Sequence, residues 1–195
     1  MKSAEKGILR RFFGKGTYPS QISFWLDFPL RRLILSPQKL ADRLHLKENF
    51  KVLEIGPGPG YFSVEVARRI PHGYLELLDI QQEMLEKNRH KIEMTGLRNV
   101  DFTQGDAVNL PFDENKFDVV FLVAVLGEVS DKERCLGDIY RVLKPSGLLS
   151  ITEQPGDPDF LPLPVVLSLA ENQGFEFAER YGKKKNYTVN FKKPD

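Results

Sequence analysis

Lys51-Val-Leu-Glu-Ile-Gly-Pro-Gly-Pro-Gly-Tyr-Phe-Ser63 is the stretch that decides the fold. A short apolar strand runs into Glu54, glycines follow at 56, 58 and 60, and a helical pattern begins at Tyr61. Glycine lets a backbone approach a ligand closely and adopt left-handed dihedrals. A turn of this kind after the first strand of an α/β sheet lies where that architecture binds its ligand. A dinucleotide fingerprint would place its third glycine at 61 to bring the pyrophosphate onto the helix N-terminus. Residue 61 is Tyr, and the loop is led by an acid. The Glu54 carboxylate would repel a pyrophosphate but suits a ligand carrying an ammonium group.

Working outward, Gly73-Tyr-Leu-Glu-Leu-Leu-Asp-Ile80 reads as the second strand, ending in Asp79, nineteen residues past Gly60. An acid at that distance, on a strand tip, can accept hydrogen bonds from both hydroxyls of a ribose. It can also cap the helix that starts at about Gln81. Next, Val100–Gln104 leads into Gly105-Asp106-Ala107, where the aspartate could equally be an ordinary turn residue. Val119–Leu126 is almost unbroken apolar, as for a parallel strand covered on both faces. It is too short to cross a membrane. A helix from about Ser130 ends before Pro145 and Gly147, and Leu148–Thr152 reads as the following strand.

These four segments, in this order over roughly residues 48–155, resemble the class I S-adenosylmethionine-dependent methyltransferases. The similarity is to the small-molecule branch near the menaquinone/ubiquinone C-methyltransferases. The resemblance implies an α/β, Rossmann-like sheet of seven strands in the order 3-2-1-4-5-7-6. That sheet is mostly parallel, with the last strand antiparallel and helices on both faces. It also implies that S-adenosyl-L-methionine, and the product S-adenosyl-L-homocysteine, bind across Glu54, Gly56, Gly58, Gly60, Tyr61, Asp79, Ile80, Asp106, Ala107 and Leu122. In the family the acid matching Asp106 meets the adenine amine, and the backbone amide matching Ala107 meets a ring nitrogen.

Independently of the resemblance, the alternation of strands and helices from Lys51 to Glu153 implies right-handed crossovers and a parallel sheet. Helices are predicted at about 36–44, 61–70, 81–95, 130–143 and 162–173. The segments 174–181 and 187–191 alternate like strands and are joined closely enough to form an antiparallel hairpin. The loop 154–161, rich in Pro, Gly and Asp, lies past a strand's carboxyl end and is expected to border the site.

At 195 residues, 41% hydrophobic and 28% charged, the chain fits one globular unit. We read it as an N-terminal arm, 1–47, lying over the substrate side, followed by a cofactor-binding domain, 48–195. The arm carries ten Lys/Arg against three Asp/Glu, whereas residues 48–160 carry twelve against twenty. This asymmetry points to an anionic partner. Tyr18, Phe24, Trp25, Phe28, Arg31 and Arg32 make the arm a candidate acceptor cover, a peripheral membrane contact, or simple packing on the sheet flank. Cys135 is the only cysteine, which suits a reducing cytoplasm and leaves no cysteine metal cluster; no metal site is expected.

Methyl transfer from a sulfonium is an in-line displacement that positioning and desolvation can drive. A base is needed only when the acceptor loses a proton. His45, His72 and His90 stand away from the strand ends, so none is a candidate. Glu128, in Leu126-Gly-Glu-Val-Ser130 just past the fourth strand, is the candidate catalytic residue. It could otherwise serve the N-terminus of the next helix. The family often carries His where this chain has Gly127. The expected acceptor is a small or lipid-like molecule, with nucleic acid disfavoured, and the expected state is monomer or homodimer. A non-catalytic module binding the nucleoside cofactor and an NAD-dependent oxidoreductase stay open as alternatives at this point.

Overall fold

The structure, a computed structural model, describes residues 35–195. Tyr18, Phe24, Trp25, Phe28, Arg31, Arg32 and the acceptor-cover expectation lie outside the described residues. In chain order the elements are α1 (Pro37–Arg43), β1 (Lys51–Ile55), α2 (Ser63–Arg69), β2 (Tyr74–Asp79), α3 (Gln82–Glu93) and β3 (Val100–Gln104). They continue with β4 (Phe117–Val123), α4 (Lys132–Val142), β5 (Leu143–Glu153), α5 (Leu163–Asn172), β6 (Glu176–Lys183) and β7 (Asn186–Lys192).

The seven strands form one sheet in the order β3-β2-β1-β4-β5-β7-β6. β1 pairs in parallel with both β2 and β4, so the order reverses at β1, and only the pairs involving β7 are antiparallel. Alternation along the central strands sends side chains into two cores. Val119, Phe121 and Val123 of β4 pack with Val52 of β1 and with α1, α2 and α3. Val120 and Leu122 pack with Leu53, α4 and α5 on the other face.

The helices start and stop for local reasons. Ser36 accepts the Lys39 N–H and Pro37 opens α1, a good first-turn pair. Asp131 caps α4 by accepting the Arg134 N–H. α4 passes straight into β5: its cap, Leu143, is already extended and pairs with Phe117. β5 therefore begins five residues before the Leu148 start read from the sequence. Pro145 and Gly147 mark an irregularity inside the strand, where the register shifts and Ser146 takes φ +59.

Of the arm, 35–47 fall within the described residues and are built into the sheet's covering layer. Leu35, Leu40 and Leu44 are fully buried beside α2. Arg43 donates to Thr188 Oγ1 at 2.7 Å and stacks over the Tyr181 ring, while Asn190 donates to the Arg43 carbonyl at 2.7 Å. His45, in the left-handed region at φ +48, pairs with Glu179 of β6. Helix α1 is thus clamped across the β6–β7 hairpin. Leu40→Ala should lower unfolding free energy by about 2–5 kcal/mol, the usual cost of emptying a buried leucine site. Denaturant titration checks this, and a loss below about 0.5 kcal/mol would mean that α1 is peripheral.

Candidate functional site

The carboxyl ends of β1, β2, β4 and β5 open into one cavity of about 570 Å³. That size is within the range of small-molecule sites, and its position at the strand-order reversal is where open α/β sheets bind ligands. Its wall, among the described residues, includes Glu54, Gly56, Gly58, Tyr61, Asp79, Ile80, Asp106, Ala107 and Glu128. Two residues named from the resemblance do not line it. Leu122 points the other way: alternation on β4 buries it in the α4/α5 core, and Val123, Ala124 and Val125 form the wall instead. Gly60 also stands outside the wall. Its φ of +76 and the space it leaves serve Asn88, whose Oδ1 would lie 2.4 Å from a Cβ at that position.

Asn88 matters because it supports Glu54. Asn88 Nδ2 donates to Ser63 Oγ at 3.1 Å, and Ser63 Oγ donates to Glu54 Oε2 at 2.7 Å. All three side chains are buried. Burial pushes the Glu54 carboxyl up to about 8; the Ser63 hydrogen bond opposes this, nearby Asp79 adds to it, and Lys91 partly offsets it. The loop is formed by glycines whose conformations other residues rarely adopt. Gly56 has φ +65, and a Cβ there would strike Val125 Cγ2 at 2.5 Å. Gly58 has φ +54 with open space around it, so the fold asks there for a left-handed backbone rather than for room.

Asp79 ends β2 at 8% exposure and accepts the Gln81 N–H at 2.9 Å. The Gly58 and Ile80 amides also stabilise its charge, but burial is the larger effect and raises its pKa. The carboxylate thus closes a turn ahead of α3 rather than capping it: the N-cap residue is Gln81, and no side chain caps that helix. Asp106 is exposed at the cavity wall, and its Oδ1 accepts the Val108 N–H at 3.1 Å.

The remaining wall is built by the β4 and β5 turns. Glu128 faces the cavity, and its carboxyl is pushed up to about 7 by burial, then by Asp157, Asp159 and Asp79. Gln154, Pro155, Gly156 and Asp157 of the loop after β5 complete this side. Gly127 sits directly beneath that loop: a Cβ at 127 would come 1.9 Å from the Asp159 carbonyl oxygen. The family's histidine position is thus closed by main chain in this molecule. Sequence reading named the loop 154–161 as a whole without singling out Asp157, and it missed Ser63 and Asn88, which carry no motif of their own. His45, His72 and His90 line no part of the cavity.

A family model described as a methyltransferase domain matches residues 46–173. The chain belongs to this methyltransferase-domain family. The ubiquinone/menaquinone biosynthesis C-methyltransferase UbiE of Idiomarina loihiensis is 39% identical over 110 residues, covering 55% of this chain and 44% of that protein. The demethylmenaquinone methyltransferase of Listeria welshimeri is 36% identical over 118 residues, covering 59% and 50% respectively. The chain spans about half the length of the curated relatives it matches. A S-adenosylmethionine-dependent methyltransferase from Aquifex aeolicus superposes with a TM-score of 0.83 at 23% identity, over 91% of this chain and 100% of that one. The [4+2]-cyclase SpnF superposes with a TM-score of 0.73 at 21% identity, over 84% and 80%. These two likenesses concern the fold, and the second shows that one fold hosts unlike chemistries. Among the described residues no helix is long and apolar enough to cross a membrane.

The buried Glu54 carboxyl also makes stability depend on pH. Because its folded-state pKa is raised, its contribution is fully present below the ordinary 4.5 and is lost as pH rises through about 8. Thermal midpoints of the ligand-free protein should fall between about pH 6 and about pH 9, and less steeply in Glu54→Gln. Equal slopes in the two proteins would show that Glu54 is not the group responsible.

Proposed function

We propose that this chain binds S-adenosylmethionine in the cavity and supports methyl transfer to a small-molecule or lipid-like acceptor. The observation that carries the reading is three carboxylates, Glu54, Asp79 and Asp106, set round one cavity behind a loop with left-handed glycines. Their chemistry fits the cofactor part by part. Glu54 would face the amino acid's ammonium, Asp79 the ribose hydroxyls, and Asp106 with the Ala107 N–H the adenine. The bound sulfonium supplies an already activated methyl group. An NAD-dependent reading fits less well: Tyr61 stands where the dinucleotide fingerprint needs glycine.

The protein's part is then to orient, desolvate and, where needed, take a proton. Pro57, Pro59, Val125 and Phe62 help to exclude water from the strand ends. Glu128 is the residue we place at the acceptor. A carboxyl pushed up to about 7 is poised to accept a proton at neutral pH, where an ordinary exposed glutamate would be a weaker base. Likeness to the ubiquinone/menaquinone biosynthesis C-methyltransferases favours a quinone-related, ring-containing acceptor, whose proton would pass to Glu128.

Two experiments test this. Asp79→Ala should weaken S-adenosylmethionine binding in calorimetry by about 1–3 kcal/mol. At neutral pH wild-type binding should release a proton, because an ammonium against Glu54 favours its carboxylate form, and Glu54→Gln should abolish that release. Unchanged affinity in Asp79→Ala would remove Asp79 from the site. With a 1,4-naphthoquinol as probe acceptor, transfer should rise with pH through about 7 in wild type. Glu128→Gln should slow it by about 10²–10⁴ while cofactor affinity stays within a few-fold. Transfer that persists at the wild-type rate would dismiss Glu128 as the base.

A further inference from the structure

We propose that Glu153 is a positioning residue for the acceptor: it latches the far end of the loop 154–161, which packs over Gly127, and so fixes Gln154 to Asp157 of the same loop as the acceptor wall. This rests on the reading of the cavity as a methyl-transfer site.

Glu153 ends β5 with its side chain fully buried. No motif claims it, and it does not line the cavity. Its Oε2 accepts the Leu161 N–H at 3.3 Å, at the far end of the loop. Its Oε1 has no hydrogen-bond partner among the described residues. Burial and nearby Asp157 push its carboxyl up to about 8, with the Leu161 N–H and Lys132 opposing. A fully buried carboxyl holding a single backbone amide is a costly arrangement unless that amide must be held.

The rest of the latch converges on the same residue. Tyr187, paired with Glu153 across the β5–β7 ladder, donates its hydroxyl to the Leu161 carbonyl at 2.7 Å. Leu161 is thus gripped at both its N–H and its C=O by neighbouring side chains of two strands. Between the two ends the loop is folded on itself: the Asp159 N–H reaches Asp157 Oδ1 at 2.9 Å, and the Phe160 N–H reaches the Asp157 carbonyl at 3.3 Å. The Phe160 ring meets Tyr187 edge-on at 6.1 Å. This packing brings the Asp159 carbonyl onto Gly127, where only hydrogen leaves space. It also brings Gln154 and Asp157 to the cavity beside Glu128. The loop is therefore a wall tied at its far end, with Glu153 as the post that holds it.

The test uses the full chain and measures amide hydrogen exchange, S-adenosylmethionine affinity, and KM and kcat with the 1,4-naphthoquinol probe. Glu153→Ala should speed exchange across 155–161 by about tenfold or more, leaving β1 and β2 protected. Cofactor affinity should change less than about threefold, and the loss should fall on KM for the acceptor more than on kcat. Glu153→Gln should restore the wild-type pattern, because an amide oxygen accepts the Leu161 N–H as well as a neutral carboxyl does. Gly127→Ala, which displaces the Asp159 carbonyl without touching Glu153, should loosen the same amides. The proposal is overturned if Glu153→Ala leaves the loop's exchange unchanged, if exchange rises equally throughout the protein, or if Glu153→Gln is as damaging as Ala. Failure of the wild-type protein to bind S-adenosylmethionine would instead sink the methyl-transfer reading, and the exchange result would still report on the latch.

Discussion

Parallel strand pairing at the reversal point is the constraint on which the rest of this molecule depends. β1 hydrogen-bonds to β2 on one side and β4 on the other. The chain leaving β1 therefore turns in one direction and the chain leaving β4 in the other, and the space between them is left for a ligand. Every polar group on the strand tips must then be satisfied by loops rather than by further strand. Gly56 does this directly, its N–H bonding the Leu78 carbonyl at 2.8 Å, so the glycine loop extends the ladder by one step before departing.

Placing acids at those tips is costly, and the structure limits the cost in different ways. Glu54 is supported by the buried Ser63–Asn88 relay and has its carboxyl pushed up towards neutrality. Asp79 is pushed up by burial, and the Gln81, Gly58 and Ile80 amides from two loops oppose that shift. Glu128 lies against further acids, Asp157 and Asp159, brought there by a loop that starts on another strand. The cavity wall thus carries several carboxyl groups whose proton affinities differ by environment rather than by residue type, which is how one residue class can serve binding and proton transfer together.

Residues 35–47 are not an appendage, because Leu35, Leu40 and Leu44 fill the same core as α2 and α3. Arg43 and His45 then tie the end of α1 to β6 and β7 through polar contacts. The hairpin that completes the sheet therefore also anchors this segment.

The glycine loop, the acid at each of the first three strand tips and the alternation of apolar strands with helices were legible from residue order alone. All of these are local signals: a few neighbouring residues specify a turn, a cap or a two-sided strand. Leu122 was misassigned because a motif names a neighbourhood, while pleating decides which of two adjacent residues faces the ligand. Gly60 was assigned to the ligand when its conformation and small size serve Asn88, twenty-eight residues away. The Ser63–Asn88 support of Glu54, the closing of Gly127 by the Asp159 carbonyl and the grip of Glu153 and Tyr187 on Leu161 had no sequence signature. Each joins groups from separate elements, so its geometry exists only after the sheet has assembled and the helices have packed. Local order of residues determined which groups would arrive at the strand ends; long-range packing decided which way they point, which are buried, and what proton affinity each one has.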